Sequence, residues 1–111
     1  MAWTIDDAVS SKSLRNAKIH ILEVSFRLDQ LAPQIRIRLF RFPGDKEFYF
    51  EQSHHIQTPE QTDVYLPTMQ SDSNEAYALT HAVEGLTHPY QHAVAQGYEP
   101  SEAWLIVNED Y

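Results

Sequence analysis

Residues 34–52, QIRIRLFRFPGDKEFYFEQ, alternate apolar and polar side chains on both sides of a Pro–Gly pair. Alternation with a period of two is typical of a half-buried β-strand. Pro43 followed by Gly44 is the order that a type II turn prefers, because that turn needs a positive φ at its third residue. The stretch therefore predicts two antiparallel strands joined by a tight connection.

A further strand is expected immediately upstream. Residues 18–28, KIHILEVSFRL, show the same alternation, with Leu22, Val24, Phe26 and Leu28 on the apolar side. Ile19 and Ile21 fall on the opposite parity, so either the strand is covered on both faces at its start or a bulge near Ile21 shifts its phase. Pro33 suits the loop that follows. Residues 18–51 thus predict a three-stranded antiparallel meander.

A long helix is expected over residues 73–98. Its apolar stripe at helical spacing comprises Ala76, Leu79, Val83, Leu86, Tyr90, Val94 and Gly97. Asp72 and Glu75 have the spacing of a capping box, with the neighbouring serines as alternative caps. Pro89 has no amide hydrogen, and the residue before a proline is pushed away from helical geometry. The helix is therefore predicted to break there.

Three short elements complete the expected fold. Residues 63–67, DVYLP, suit an edge strand, and residues 103–107, AWLIV, suit a buried one that completes the sheet. Thr4 and Asp7 form a capping pair for a short first helix. The fold class predicted for a single domain, residues 1–111, is α+β. It has an antiparallel β-meander sheet of about four to five strands, with a C-terminal, Pro-broken helix packed on one face.

Charge is unevenly distributed along the chain. All eight Lys and Arg residues lie between Lys12 and Lys46, so residues 1–46 hold eight basic and five acidic side chains, a net charge of +3. Residues 47–111 hold eleven acidic and no basic side chains, a net charge of -11. A surface of one sign favours a protein partner with a basic surface and disfavours DNA, RNA and anionic membranes. Solubility alone is the alternative explanation.

Four side chains that can bind metals share one side of the predicted helix, at about 100° per residue: His81, Glu84, His88 and His92. On a continuous helix, His88 and His92 would lie one turn apart and could share a divalent ion. That side faces away from the apolar stripe, and a break at Pro89 would take His81 out of line. A solvated helix face is therefore expected, with a metal site as the alternative.

The outer face of the meander combines arginine with aromatic side chains: Arg27, Arg36, Arg38, Phe40 and Tyr49. These residue types are enriched in the centres of protein interfaces, so the set predicts a partner-binding surface. Arg–Glu pairing on a solvated face is the structural alternative. Stacking of single-stranded bases is a third, which the negative net charge disfavours. Residues 108–111, NEDY, are either a docking handle or a frayed end.

Catalytic and export signatures are not found in the sequence. It contains no GxSxG, P-loop or GxGxxG pattern and no cysteine, so thiolate chemistry and cysteine metal sites are excluded. Asp6 and Asp7 stand where a signal peptide would need basic residues, so a cytoplasmic protein is expected. Because no cofactor-binding motif is found, no cofactor is expected either. The expected function is a non-catalytic protein–protein interaction module, an accessory subunit or regulator of a larger complex. A metal-binding protein and a small-ligand enzyme remain the alternatives.

Overall fold

The computed structural model describes residues 4–62 and 73–111. The elements in chain order are α1 (Ile5–Ala8), β1 (Ile19–Phe26), β2 (Ile35–Arg41), β3 (Tyr49–Gln52), β4 (His54–Ile56), α2 (Glu75–Ala95), a 3₁₀ turn (Glu102–Trp104) and β5 (Leu105–Val107). The α+β class and the antiparallel pairing are confirmed. The edge strand predicted over residues 63–67 lies outside the described residues.

Strands β1, β2 and β3 form the predicted antiparallel meander. Val24 pairs with Ile37 on β2, and Leu39 pairs with Phe50 on β3, so these apolar side chains share the inner face. The register shifts between His20 and Leu22, which makes Ile21 the extra residue of a bulge. The bulge explains why the first isoleucines of β1 are out of phase with the rest of the strand.

The turn between β2 and β3 also has the predicted chemistry. The Asp45 amide donates to the Phe42 carbonyl at 3.0 Å, which closes a four-residue turn around Pro43 and Gly44. Gly44 has a φ of 79°, the left-handed conformation that a type II turn requires at this place. At the N-terminus, Thr4 and Asp7 exchange the two hydrogen bonds of a capping box on α1.

A second sheet grows out of the first at Ser53. The Ser53 amide donates to the Arg36 carbonyl at 2.8 Å, and the Ser53 carbonyl accepts from the Asn108 amide at 2.8 Å. Before Ser53 the chain pairs with β2, and after Ser53 it pairs with β5. The predicted single sheet is therefore two sheets, one of β1, β2 and β3 and one of β4 and β5. Within the described residues, β1 pairs only with β2 and β5 only with β4.

Helix α2 covers the inner face of the meander, and the predicted break at Pro89 is wrong. The helix runs continuously from Glu75 to Ala95 with Pro89 inside it, and Asn74 caps its N-terminus. The side chains on both sides of the proline are buried: Leu86 is 0% exposed and Tyr90 is 4% exposed. The free energy gained by burying this continuous face outweighs the free energy lost because Pro89 cannot donate a helix hydrogen bond.

The buried face of α2 differs from the predicted stripe by a rotation. It comprises Ala78, Ala82, Leu86, Tyr90 and Ala93, whereas Val94 is 41% exposed. At 100° per residue the centre of the face moves by about 60°. Three alanines let the helix backbone approach the sheet closely, and Leu79 and Val83 pack from the side. Among the described residues, no helix has both the length and the apolar character needed to cross a bilayer.

Candidate functional site: the outer face of the meander

The face of the meander opposite α2, which we call the outer sheet face, is built of cross-strand rows. The pairing places Ser25 beside Arg36, Arg38 between Glu23 and Glu51, and Phe40 between His20 and Tyr49. The bulge at Ile21 brings His20 onto this face, since without it His20 and Glu23 would have opposite parity. Charged side chains thus occupy one end of the face and aromatic side chains the other.

Ion pairs link the charged rows across the strands. Arg38 Nε lies 3.7 Å from Glu23 Oε1, and Lys18 Nζ lies 3.4 Å from Glu51 Oε2. His20 Nε2 is 4.0 Å from the other oxygen of Glu51. Partly exposed pairs of this kind contribute about 0.2–1 kcal/mol each. The pair with Glu23 therefore positions Arg38, while all of these pairs add little to the stability of the sheet.

Tyr111 lies on two of the three arginines of β2, Arg36 and Arg38. The centre of its ring is 3.7 Å from Arg38 Cζ and 5.3 Å from Arg36 Cζ, so both guanidinium groups contact the ring as cation–π partners. The Tyr111 hydroxyl donates to Glu23 Oε1 at 2.5 Å. Burial, reinforced by this hydrogen bond, raises the pKa of Tyr111 above the ordinary value for tyrosine.

Asn108 directs the end of the chain onto this face. Its side-chain amide donates to the Gln52 carbonyl at 2.8 Å, which fixes it at the junction of the two sheets. A turn follows, because the Asp110 amide donates to Asn108 Oδ1 at 3.0 Å and the Tyr111 amide donates to the Asn108 carbonyl at 3.2 Å. The end of the chain is therefore held by specific hydrogen bonds up to its last residue.

The aromatic end of the face is closely packed. Phe40 stacks on Tyr49 with ring centres 5.8 Å apart, and Phe42 meets both rings edge-on at 5.5 and 5.2 Å. Lys18 Nζ caps the Phe40 ring at 4.5 Å from its centre. Phe40 is 1% exposed, and the Tyr49 hydroxyl donates to Asp45. Phe40 therefore supports the face from below and offers no accessible area of its own.

Arg27 lies apart from Arg36 and Arg38, the other two arginines of the predicted partner-binding surface. Its Nε donates to the Leu31 carbonyl at 2.8 Å, and its Nη2 donates to the Gln30 carbonyl at 3.3 Å. These bonds hold the loop between β1 and β2. The side chain thus organises its own loop, while Arg36 and Arg38 lie together under Tyr111.

The helix histidines face the solvent. His81, His88 and His92 are exposed and Glu84 is half-buried. His81 packs on Tyr77 with ring centres 4.7 Å apart, and His92 Nε2 lies 3.8 Å from Glu60 Oε2. Within residues 4–62 and 73–111, no group of three or more His, Asp or Glu side chains has an arrangement that could hold a metal ion.

A cleft of about 800 Å³ lies between the β1–β2 loop and the end of α2. Asp29, with a φ of 47°, and Tyr90 line it, and the Tyr90 hydroxyl donates to Asp29 Oδ2 at 2.7 Å. Burial and the bond to Asp29 raise the pKa of Tyr90 to about 12. Tyr90 is therefore a fixed donor that ties the helix to the loop, an arrangement that stabilises the fold.

Two histidines at the sheet junction are held by hydrogen bonds. Ser53 Oγ lies 2.8 Å from His54 Nδ1, and Gln52 Nε2 lies 3.4 Å from His55 Nδ1. Burial lowers the pKa of both histidines, and the nearby charge of Arg36 lowers that of His54 further. Ser53 Oγ also accepts a hydrogen bond from the Arg36 backbone amide at 2.8 Å, so this hydroxyl makes structural hydrogen bonds within the fold.

We expect the stability of the protein to fall as the pH decreases below about 6.5, the ordinary pKa of histidine. Because the folded-state pKa values of His54 and His55 are lowered, the unfolded chain takes up protons that the folded chain does not. The two histidines therefore contribute stability at a pH above their pKa in the unfolded chain. This contribution is lost as the pH falls toward their lower pKa values in the folded chain. Thermal unfolding between pH 5 and 7.5 measures the loss.

Variants that remove these histidines provide the comparison. The chain carrying His54→Gln and His55→Gln should show a flatter pH dependence than the wild type over this range. His88→Gln, on the exposed side of α2, should leave the slope as it is. An equal slope in the double variant and the wild type would show that the two half-buried histidines do not cause the pH dependence.

The structure brings together only part of the predicted site. Arg36 and Arg38 lie side by side, Arg27 lies elsewhere and Phe40 is buried. Sequence analysis offered residues 108–111 as a docking handle or a frayed end but did not place Tyr111 on this face, because nothing near it in the sequence points to Arg36 or Arg38. Neither a scan against protein-family models nor searches of curated proteins and of solved structures gave a match to this chain.

Proposed function

We propose that the protein is a non-catalytic protein–protein interaction module, an accessory subunit or regulator of a larger complex, and that it contacts its partner through the outer sheet face. The observation that carries the proposal is the position of Tyr111 on Arg36 and Arg38. An aromatic side chain from outside the meander already lies on this face. A partner side chain can make the same contacts.

The chemistry of the face supports this use. Arginine and tyrosine are the residue types that contribute most to interface hot spots, because each buries a large area and keeps a polar group available. Arg36 is exposed and Arg38 is partly exposed. Both side chains start from β2, the central strand, whose paired backbone limits the entropy lost on binding.

The acidic part of the chain offers the partner a second contact. Glu99, Glu102, Glu109 and Asp110 are all exposed in the last segment of the chain. A partner with a basic surface would be attracted to them at long range, and this attraction weakens with salt. A basic surface on the partner therefore remains part of the proposal.

Capture from native lysate tests the function. The immobilised wild-type protein should retain a partner at near-stoichiometric level at low salt and less of it at moderate salt. Arg36→Glu with Arg38→Glu should abolish the capture, because the face then repels the side chains that it attracted. Lys46→Glu reverses one charge at an exposed position of the β2–β3 turn and should retain the partner.

Two results would contradict the proposal. One is capture that is unchanged by reversal of both arginines, which would place the contact elsewhere on the molecule. The other is a failure to retain any partner at near-stoichiometric level from the native lysate. Circular dichroism of each variant separates loss of the surface from loss of the fold.

A further inference from the structure

The outer sheet face contains a site shaped for a tyrosine side chain, which we call the tyrosine cradle and define as Glu23, Arg36 and Arg38. The two guanidinium groups contact the face of the ring, at 3.7 and 5.3 Å from its centre. The Glu23 carboxylate accepts from the hydroxyl at the far end of the ring at 2.5 Å. A phenylalanine could satisfy the arginines but would leave Glu23 without its donor.

The cradle also suits acidic residues beside the tyrosine. Among the described residues, no carboxylate lies within ion-pair distance of Arg36, whose charge is thus open to a ligand. Glu109 and Asp110 are exposed and directly precede Tyr111, so the segment that now fills the cradle is itself acidic. A ligand with a carboxylate placed closer to Arg36 would gain an ion pair that the chain's own segment does not make.

Arg38 shows that the present occupant leaves a polar group unsatisfied. Its Nε is buried and makes no hydrogen bond within residues 4–62 and 73–111. Its ion-pair partner Glu23 Oε1, at 3.7 Å, instead accepts the hydrogen bond of the Tyr111 hydroxyl. A buried donor without an acceptor costs free energy, and this cost ends when a better-placed acceptor reaches it. Tyr111 therefore fills the cradle incompletely.

We propose that the tyrosine cradle binds a tyrosine carried by an acidic segment of the partner, and that Tyr111 occupies the cradle until this segment displaces it. The inference rests on the proposed function and names the chemistry of the partner. Tyr111 is tethered within the same chain, so it competes at a high effective concentration. Removing its ring should make the cradle accessible to a peptide added in solution.

A peptide titration on the 111-residue chain tests the inference. The probe is a fluorescein-labelled, amidated peptide with the sequence of residues 108–111 behind a Gly–Ser spacer, and fluorescence anisotropy reports its binding. It should bind the Tyr111→Ala chain saturably and at least about fivefold more tightly than the wild type, in which the tethered ring competes. A peptide with alanine or phenylalanine in place of the tyrosine should bind markedly more weakly.

Variants of the cradle assign the binding to its residues. In the Tyr111→Ala chain, Arg38→Glu should abolish peptide binding. Arg38→Gln should weaken binding, and it replaces Arg38→Glu as the test variant if the charge reversal disturbs the fold. Lys46→Glu in the same background is the matched charge control and should bind the peptide nearly as tightly as the Tyr111→Ala chain. Circular dichroism and the melting temperature confirm that each variant is folded.

Several outcomes would overturn the inference. They are the absence of saturable binding to the Tyr111→Ala chain, equal affinity for the wild type, equal binding of the phenylalanine peptide, and binding that survives the Arg38 changes. If the peptide does not bind the Tyr111→Ala chain but capture of a partner still depends on the arginines, only this inference is wrong. If both fail, the proposed function is wrong as well.

Discussion

Replacing Leu86 with alanine is expected to lower the free energy of unfolding by about 2–5 kcal/mol, because the change removes fully buried carbons and leaves a cavity. Leu86 is 0% exposed and belongs to the central core cluster together with Ile35 and Ile37 of β2. A loss of this size is a large share of the stability of a domain of this length. Urea unfolding followed by circular dichroism measures it.

Val94→Ala is the control on the same helix. Val94 belongs to the apolar stripe predicted from the sequence, but it is 41% exposed in the structure. Its replacement should change the free energy of unfolding by less than about 1 kcal/mol, as is usual for surface positions. Comparable losses in the two variants would mean that α2 packs with the face predicted from periodicity and not with the observed one.

Phe40→Ala should cost about 3–5 kcal/mol of stability, as is typical for a buried aromatic residue. Phe40 is 1% exposed and contacts both Phe42 and Tyr49, so its removal leaves a cavity beneath the aromatic end of the outer sheet face. The melting temperature of the variant measures the loss. The effect tests whether Phe40 supports the surface or belongs to it.

Tyr98→Ala is the comparison for an exposed aromatic residue. Tyr98 is 41% exposed, and its replacement should leave the melting temperature nearly unchanged. If Phe40 were itself a contact residue, Phe40→Ala would weaken partner capture while the melting temperature stayed constant. That result would contradict the supporting position that the structure assigns to Phe40.

Local features of the fold could be predicted from the sequence because they depend on neighbouring residues. The type II turn requires only Pro43 and Gly44 in the right order, and the first helix requires only the exchange of hydrogen bonds between Thr4 and Asp7. The change of parity within β1 predicted either a strand covered on both faces at its start or a bulge at Ile21, and the register shift shows the bulge. Each of these signals is complete within a few residues of sequence.

The features that were not predicted depend on partners distant in the sequence. Periodicity gave α2 a stripe containing Val94, but the three alanines that allow close approach to the sheet decided which face is buried. Pro89 predicted a break, although burial on both sides of it maintains the helix. The sheet junction at Ser53 depends on Arg36 and Asn108, which lie far away in the chain.

The candidate site was predictable in part for the same reason. Alternation along β2 correctly placed Arg36 and Arg38 on one face, since parity is a local property. The position of Tyr111 requires the turn at Asn108 and the acceptor on Glu23, 88 residues away. Nothing near Arg27 in the sequence distinguishes an arginine that holds its own loop from one that faces a partner.

Nuclear Overhauser spectroscopy on the isotope-labelled 111-residue chain tests most directly whether Tyr111 occupies the tyrosine cradle. We expect cross-peaks between the Tyr111 ring protons and the Arg38 side chain, with the Arg38 δ protons shifted upfield by the ring that covers them. Tyr111 resonances at random-coil positions, without cross-peaks to β1 or β2, would show that the chain's own tyrosine does not occupy the outer sheet face.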